Sequence, residues 1–269
     1  MLFNRTSGAR ILGALTVLLA TGLVSKGPSS TRPLSGMSRH RHNPAIIRER
    51  HGNNATSTNW SGYVVTGANN SVTDVKGSWT VPTLVCPALA PDSYSSFWLG
   101  IDGYGSNTVE QIGIEADCVG GTPVYSAWFE FYPHWPYSID SVPVHPGDTM
   151  SAEVSYGAKG QFTVKLTNVH LKQSFSTTTK MPQAQLSSAE WIAEAPWSSG
   201  VLPLANFGTA FFDTCSATVG KNTNAIGKFS AANVIQVDMV TSGGVVKAQT
   251  SKLSGNGSSF SVVWIPAGT

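Results

Sequence analysis

The chain has 269 residues, of which 41% are hydrophobic and only 12% are charged, and its formal net charge is +2. This length allows one large domain or two small ones. Low charge together with 27 glycines, 15 prolines and 8 tryptophans favours an all-β secreted protein. The chain has no phosphate-binding glycine loop, no basic–aromatic stripe and no internal repeat, so nucleotides and nucleic acids are not expected partners.

The first 24 residues have the pattern of a secretory signal peptide. Arg5 and Arg10 precede an apolar run, residues 11–24, that is too short to span a bilayer comfortably. The alternative is an uncleaved N-terminal anchor. No later segment is long and apolar enough to cross a membrane, so we expect an extracellular protein with no membrane association after processing.

Residues 25–52 differ sharply from the remainder of the chain, because they are rich in Ser, Pro, Arg and His and lack apolar periodicity. Residues 1–52 hold 8 Lys and Arg against 1 acidic residue, whereas residues 53–269 hold 9 against 14. One interpretation is a disordered basic linker. The more specific interpretation is a propeptide whose cations, between Arg39 and Arg50, pair with carboxylates of the acidic domain and keep it inactive.

Strand signals continue from residue 53 to the C-terminus, and we predict one domain over residues 53–269. Alternating or β-branched runs are separated by clusters of Gly, Pro, Asn and Ser. The clearest runs are residues 150–156, 162–167, 173–178, 234–240, 244–250 and 259–264. No window has a long apolar stripe at helical spacing, which predicts a β-sandwich or jelly roll.

The stretch FWLGIDGYGSNTVEQIG, residues 97–113, predicts a strand, a glycine-rich turn and a return strand that carries Gln111. Alternate side chains of the first strand would face opposite sides of a sheet. One side would hold Phe97, Leu99 and Ile101, and the other Trp98, Gly100 and Asp102. A face with an indole, a bare backbone position and a carboxylate suits the floor of a ligand site.

Two further segments combine glutamates with aromatic residues. Trp128, Glu130 and Tyr132 alternate onto one face of a strand, where the aromatic rings would desolvate the Glu130 carboxyl and raise its pKa. Glu190 and Glu194 share one face of the segment AEWIAE. A single such glutamate is more often a solvated strand residue, but two strands of this kind in a weakly charged chain indicate a site.

Other hydrolytic chemistries find little support. The three histidines beyond the leader, at positions 134, 145 and 170, do not form an HExxH motif, and no GxSxG motif occurs. We expect these histidines in loops or on the surface. A zinc site is not expected either, because no Cys-x-x-Cys or His-x-x-x-His spacing is present.

The three cysteines are an odd set, of which two are expected to pair in an exported chain. We favour a bond between Cys86 and Cys118, because these two bracket the predicted hairpin. Cys215 would then remain as a buried or free thiol.

Four ordered segments carry a resemblance to a known family. They are NWSGY (Asn59–Tyr63), WLGIDG followed by EQIG, YSAWFEFYP (Tyr125–Pro133) and AEWIAE (Ala189–Glu194). Together they resemble the glutamic peptidases, or eqolisins, which are secreted acid endopeptidases. The resemblance implies two antiparallel seven-stranded sheets, packed and bent into a concanavalin-like sandwich with a concave substrate cleft.

The resemblance also assigns roles to residues of this chain. It implies a catalytic dyad of Gln111 and Glu194, with Glu190 as the competing choice for the glutamate. The same resemblance implies that five further residues line the cleft and bind substrate: Trp60, Trp98, Asp102, Trp128 and Glu130. The chain departs from the family pattern in a spacing from IDG to Gln that is one residue shorter, and in its disulfide pattern.

A Glu and a Gln suffice for hydrolysis of an amide by water. The carboxylate takes a proton from water during attack and returns it to the leaving amine. The Gln amide holds the water and then donates a hydrogen bond to the developing oxyanion. The expected enzyme is therefore an endopeptidase that acts on polypeptides in acid and needs no metal or cofactor. We also expect it to be a monomer.

Two alternatives share the aromatic, carboxylate-bearing face. The first is a β-sandwich glycoside hydrolase, which needs two carboxylates but has no evident use for Gln111. The second is a lectin-like carbohydrate-binding module that would use Trp60, Trp98 and Trp128 as stacking platforms and would need no ionised glutamate.

Overall fold

The structure, a computed structural model, describes residue 2 and residues 31–33, 40–157 and 159–266. Apart from residue 2, the predicted signal peptide lies outside the described residues, as does Arg39 of the predicted leader. Within the described ranges, no helix reaches the length and hydropathy that a membrane crossing requires.

The described chain folds almost entirely into β-strands. Two short 3₁₀ helices, Ile226–Lys228 and Ala231–Asn233, interrupt them near the C-terminus. The strands are β1 (Thr31–Pro33), β2 (Ile47–His51), β3 (Asn54–Ser57), β4 (Trp60–Thr66), β5 (Val72–Thr80), β6 (Ser96–Ile101), β7 (Val109–Val119), β8 (Thr122–Tyr132), β9 (Tyr137–Ile139), β10 (Thr149–Gly157), β11 (Gln161–Asn168), β12 (Gln173–Thr179), β13 (Ser188–Glu194), β14 (Thr209–Val219), β15 (Asn222–Ala225), β16 (Val234–Val240), β17 (Val246–Thr250) and β18 (Phe260–Trp264).

These strands form two antiparallel layers, as predicted. The front layer has the order β16–β4–β13–β6–β7–β8–β9. The back layer has the order β12–β11–β10–β5–β14–β18–β17. Strands β16 and β17 pair with each other and join the layers along one side. The six strands predicted most clearly from alternation are all present as β10, β11, β12, β16, β17 and β18.

Strand alternation divides the apolar residues into two clusters. Phe97, Leu99 and Ile101 of β6 point into the main core, where Val154 and Leu166 of the back layer are also buried. The other face of the front layer carries a second cluster, built from Ala55, Trp60, Val64, Trp98, Val109, Trp128, Ile192, Ile235 and Val237. This second face forms the cleft, so the predicted separation of Phe97, Leu99 and Ile101 from Trp98 onto opposite faces of β6 is confirmed.

Glycines remove side chains from the middle of the cleft floor. Gly113 of β7 lies opposite Trp98 on one side and Trp128 on the other. A Cβ added to Gly113 would lie 2.4 Å from the Phe97 carbonyl oxygen and 2.4 Å from the Trp98 Cβ, and one added to Gly62 would lie 2.0 Å from the Trp191 carbonyl oxygen. Only bare backbone therefore fits at these two positions.

The predicted disulfide is confirmed. Cys86 and Cys118 are bonded with their Cα atoms 5.4 Å apart, and Cys215 is a buried free thiol. The bond ties the loop after β5 to the end of β7. It therefore anchors the strand that carries Gln111.

The leader is structurally continuous with the domain. Strand β2, within the predicted leader, pairs antiparallel with β3, and β3 pairs parallel with β16 of the front layer. Residues 40–52 are accordingly an ordered part of the fold, and no break in structure falls between residues 52 and 53.

Candidate active site

A short piece of the leader lies in the cleft. We call residues 40–46 the leader insert. The Arg41 backbone pairs with Trp197, where each N–H donates to the other's carbonyl at 2.8 and 2.9 Å. Farther along, the Ala45 N–H donates to the Gly103 carbonyl at 3.1 Å, and the Ile46 N–H donates to Asn59 Oδ1 at 2.8 Å. The insert thus crosses the cleft in an extended, hydrogen-bonded path.

His42 is the centre of this insert, and it is fully buried. Its imidazole stacks on Trp128 with 3.5 Å between ring centroids and 7° between ring planes. Its Nδ1 lies 3.0 Å from a Glu194 oxygen, and its Nε2 lies 3.0 Å from a Glu115 oxygen. Burial alone lowers the pKa of His42, but hydrogen bonds to Glu115 and Glu194 outweigh that effect and raise it to about 10. The ring is therefore an imidazolium held between two carboxylates.

Gln111 and Glu130 hold the backbone of His42. Gln111 Nε2 donates to the His42 carbonyl oxygen at 2.8 Å, and the His42 N–H donates to Glu130 Oε2 at 3.0 Å. Gln111 Nε2 also lies 3.3 Å from the same Glu130 oxygen. Burial raises the pKa of Glu130 to about 8, so this carboxyl is protonated in acid, in agreement with the raised pKa expected from its aromatic neighbours.

Glu194 is buried beside the same residue. Its Oε2 accepts hydrogen bonds from Trp98 Nε1 at 2.8 Å and from His42 Nδ1 at 3.0 Å. Burial raises the pKa of Glu194, and the bonds from His42 and Trp98 oppose this effect. Gln111 and Glu194, which come from strands separated by β6, thus meet on one residue of the insert.

The predicted tryptophans line the cleft. Trp60 donates from Nε1 to the Asn43 carbonyl at 3.1 Å and packs edge-on against Trp98, with 4.9 Å between ring centroids. Trp128 donates to the Ser96 hydroxyl at 3.1 Å, which fixes the ring that His42 covers.

Glu190, the competing glutamate, occupies a different place. It lies on the cleft face of β13 opposite Gly100, whereas Glu194 lies opposite Ser96. Burial raises its pKa well above the ordinary value, and the charges of Asp102 and Glu110 add to the increase. Its carboxyl oxygens meet no hydrogen-bond partner among the described residues, and none of the contacts with His42 involves Glu190.

Asp102 does not extend the ligand face, so this part of the prediction is wrong. Strand β6 ends at Ile101, and Asp102 has a positive φ of 69° that turns it out of the alternation. Its carboxylate accepts the backbone N–H groups of Gln185, Leu186 and Ser187 at 2.7 to 2.8 Å. Asp102 therefore organises the loop that leads into β13, instead of contacting the insert.

Two acidic residues of the cleft were not predicted. Glu115 and Asp117 lie four and six residues after Gln111 in β7, so the alternation of the strand places all three on the same face. His40 Nδ1 lies 3.3 Å from a Glu115 oxygen and 3.9 Å from an Asp117 oxygen. Burial opposes ionisation of Glu115, but hydrogen bonds from His40 and His42 lower its pKa to about 2. The period-two run Gln111, Gly113, Glu115, Asp117 was the signal that could have revealed them.

In the described part of the leader, the side chains that meet domain carboxylates are histidines, not the arginines that the sequence suggested. Arg41 stacks over Trp135, and Arg48 and Arg50 donate only to backbone carbonyls in the hydrogen bonds found for the described chain. The arginines project towards the exposed rim. The leader side chains that reach the buried carboxylates are His42, which stacks on Trp128, and His40, which packs edge-on against Tyr94.

The described residues include one group that could hold a metal ion. His40, Glu115 and Asp117 place one potential ligand atom each within 4.8 Å of the others. His40 belongs to the leader, so the complete set exists only while the insert is in the cleft. The arrangement also has a simpler account, since it is a hydrogen-bonded histidine between carboxyl groups.

Comparison with known proteins agrees with the fold and identifies the family. The sequence model of the Peptidase A4 family matches residues 58–263. Aspergillopepsin-2 of Aspergillus niger is 28% identical over 239 residues, which cover 77% of this chain and 84% of that protein. The chain therefore belongs to the Peptidase A4 family, and it is a glutamic endopeptidase.

Solved structures lead to the same architecture. Scytalido-glutamic peptidase bound to a transition-state analogue inhibitor superposes with a TM-score of 0.65 at 20% identity, covering 77% of this chain and 98% of that one. Aspergilloglutamic peptidase from Aspergillus niger superposes with a TM-score of 0.57 at 26% identity, covering 64% of this chain and 99% of that one. The family assignment favours the peptidase over the two carbohydrate-binding alternatives.

Proposed function

We propose that this chain is an exported, acid-active endopeptidase in which Glu194 and Gln111 activate water and stabilise the oxyanion. The observation that carries the proposal is that both side chains bind the same residue of an extended peptide. Gln111 donates to the His42 carbonyl at 2.8 Å, and Glu194 lies 3.0 Å from the His42 ring. An oxyanion formed from such a carbonyl would already have its donor in place.

The chemistry is set by these positions. With a substrate carbonyl on Gln111, ionised Glu194 removes a proton from water while the water oxygen attacks the carbonyl carbon. The negative charge that develops on the carbonyl oxygen is stabilised by the Gln111 amide. The tetrahedral intermediate then collapses, the C–N bond breaks, and Glu194 returns its proton to the leaving amine.

Glu130 explains why acid suits this site. Its pKa of about 8 keeps it neutral in acid, so no second negative charge lies beside the developing oxyanion. Glu194 has to be ionised while Glu130 is not, and the hydrogen bond from Trp98 Nε1 favours the ionised form of Glu194.

We infer that the leader is the enzyme's own inhibitor. The His42 ring lies against Glu194, the proposed base, and it forms ion pairs with Glu194 and Glu115. The N-terminal signal-like sequence and the disulfide Cys86–Cys118 support export to an oxidising compartment. We expect the enzyme to act as a monomer on polypeptide substrates without a metal or cofactor.

The proposal is tested by digesting casein across acidic pH with the wild-type chain, Glu194→Gln and the matched variant Glu190→Gln. Wild type and Glu190→Gln should be active in acid, unaffected by EDTA, and Glu194→Gln should be inactive while still folded. An inactive Glu190→Gln beside an active Glu194→Gln would reverse the assignment of the two glutamates. Loss of activity in EDTA would refute the metal-free mechanism.

A further inference from the structure

A cavity lies beside the leader insert, outside the Gln111–Glu194 dyad. Its volume is about 320 Å³, and its walls come from Arg41, Asn43, Tyr132, Trp135, Trp197 and Ser198. The Trp135 side is open, since 56% of that residue is exposed to solvent. We call this space the Trp135 cavity. The described contacts of Gln111 and Glu194 do not involve its wall on the domain side.

The side chain of Arg41 is bound at this cavity. Its guanidinium carbon lies 3.9 Å from the centroid of the Trp135 ring, which is the geometry of a cation–π contact. A guanidinium is planar and weakly hydrated, so it stacks on an indole better than an ammonium does. The cavity therefore already holds one chemical class of side chain.

The backbone of Arg41 is fixed independently of its side chain. The paired N–H and carbonyl groups of Arg41 and Trp197, at 2.8 and 2.9 Å, form an antiparallel bridge. Such main-chain pairing accepts any extended peptide, and selectivity then comes from the pocket beside it.

The insert runs along the path that a substrate needs. Arg41 is paired with Trp197 through the backbone. The next carbonyl along the insert, that of His42, accepts a hydrogen bond from Gln111 Nε2 at 2.8 Å. The following carbonyl, that of Asn43, accepts from Trp60 Nε1 at 3.1 Å. In this register the bond after His42 lies at the dyad, and Arg41 marks the residue immediately before the one whose carbonyl is attacked.

We propose that the Trp135 cavity is a substrate subsite that selects an arginine immediately before the residue whose carbonyl is attacked. The inference rests on the proposed function, because the Gln111–Glu194 dyad defines which carbonyl that is. The leader insert would bind as a substrate does at Arg41. It would differ at His42, whose ring pairs with Glu194 and prevents attack.

The test uses the acid-treated full-length chain and fluorescently labelled peptides of one sequence. The peptides carry Arg, Lys, Gln or Ala at the position of Arg41, and Leu at the position of His42 so that Glu194 stays free. Binding is read by fluorescence anisotropy, and cleavage by kcat and KM. We expect the Arg peptide to bind about 2- to 5-fold more tightly than the Ala peptide, the range of an exposed cation–π contact, with the difference in KM and not in kcat.

The variants are Trp135→Ala and Trp135→Tyr, with Phe211→Ala as the control, because Phe211 is an equally exposed aromatic residue, at 58%, on the back layer. Trp135→Ala should abolish the preference for Arg, Trp135→Tyr should retain part of it, and Phe211→Ala should leave it unchanged. Equal binding of all peptides to wild type, or an undiminished preference in Trp135→Ala, would overturn the subsite. Arg-selective binding without any cleavage would support the subsite and contradict the proposed function.

Discussion

The imidazole of His42 lies flat on the indole of Trp128, with 3.5 Å between the ring centroids and 7° between their planes. This stacking directs the two ring nitrogens to different carboxylates, Nδ1 to Glu194 and Nε2 to Glu115, each at 3.0 Å. The His42 ring therefore covers the Trp128 indole and forms an ion pair with Glu194, the proposed base, at the same time.

Replacing His42 by Ala should release the inhibition by the leader. The change leaves Glu194 and Glu115 buried without their shared cation, and breaking a buried ion pair in this way costs about 3–5 kcal/mol. We expect His42→Ala to hydrolyse peptides at once in acid, without the lag of the wild-type chain. The measurement is the lag before peptide hydrolysis in the full-length protein.

His51→Ala is the matched control for that variant, because His51 lies in the same leader with a side chain that is 83% exposed. It should keep the wild-type lag. A long lag in His42→Ala, or a lost lag in His51→Ala, would mean that the leader inhibits through something other than the His42 ion pairs.

Acid should weaken the docking of the leader through Glu115. In the docked state the pKa of Glu115 is lowered from 4.5 to about 2. Because its pKa is lowered on docking, Glu115 stabilises the docked state at pH values above 4.5. This contribution is lost as the pH falls from 4.5 towards 2. We expect the onset of wild-type activity to follow this loss of stabilisation as the pH falls. Glu115→Gln lacks the stabilisation at every pH, so we expect it to become active at a higher pH than wild type.

Asp117→Asn gives the contrast, since burial raises the pKa of Asp117 well above its ordinary value and Asn resembles the neutral acid. Its activation profile should match wild type. The experiment records the initial rate of peptide hydrolysis against the pH of preincubation, and identical profiles for Glu115→Gln and wild type would exclude Glu115 as the titrating group.

Gln111→Ala should remove nearly all activity while leaving the fold intact. Loss of one oxyanion donor typically raises the barrier by about 2.7–4 kcal/mol. Because Gln111 and Glu194 act on one transition state, the double variant Gln111→Ala/Glu194→Gln should be little worse than either single variant. Thermal melts establish folding and kcat/KM in acid gives the effect; an active, folded Gln111→Ala would contradict the proposed mechanism.

Glu190 should make the protein less stable as the medium approaches neutrality. Its buried carboxyl has a pKa raised well above 4.5 in the folded chain. A carboxyl whose pKa is raised by folding contributes stability at pH values below 4.5. This stability is lost as the pH rises towards the pKa of the folded state. Glu190→Gln, which keeps the neutral shape, should therefore lose less thermal stability than wild type between pH 4 and pH 7, and an equal loss in both proteins would show that Glu190 does not titrate with folding.

Periodicity along single strands predicted much of the cleft. The two-residue alternation of β6 and β8 correctly separated Phe97 from Trp98, and it placed Glu130 on the face that meets Gln111. These positions are dictated by local geometry, so one sequence is enough to read them. Asp102 was misplaced because the strand stops one residue earlier at a positive φ, which alternation does not report.

The histidines of the leader could not be found in the same way. His40 and His42 lie in a segment without periodicity, and their burial comes from contacts with Glu115 and Glu194, which are more than 70 residues away along the chain. The excess of positive charge indicated that the leader pairs with the acidic domain. It did not indicate that the flat ring of His42, and not a longer arginine side chain, would lie over Trp128.

The bare backbone at Gly62 and Gly113 has a practical consequence for protein engineering. A methyl group at Gly113 would lie 2.4 Å from a main-chain oxygen, so even alanine cannot be introduced there without moving a central strand. These two positions of the floor consequently cannot be used to redesign specificity. A library intended to change which peptides are cut should be directed at the rim, where Trp135 is open to solvent and a new side chain would disturb no strand pairing.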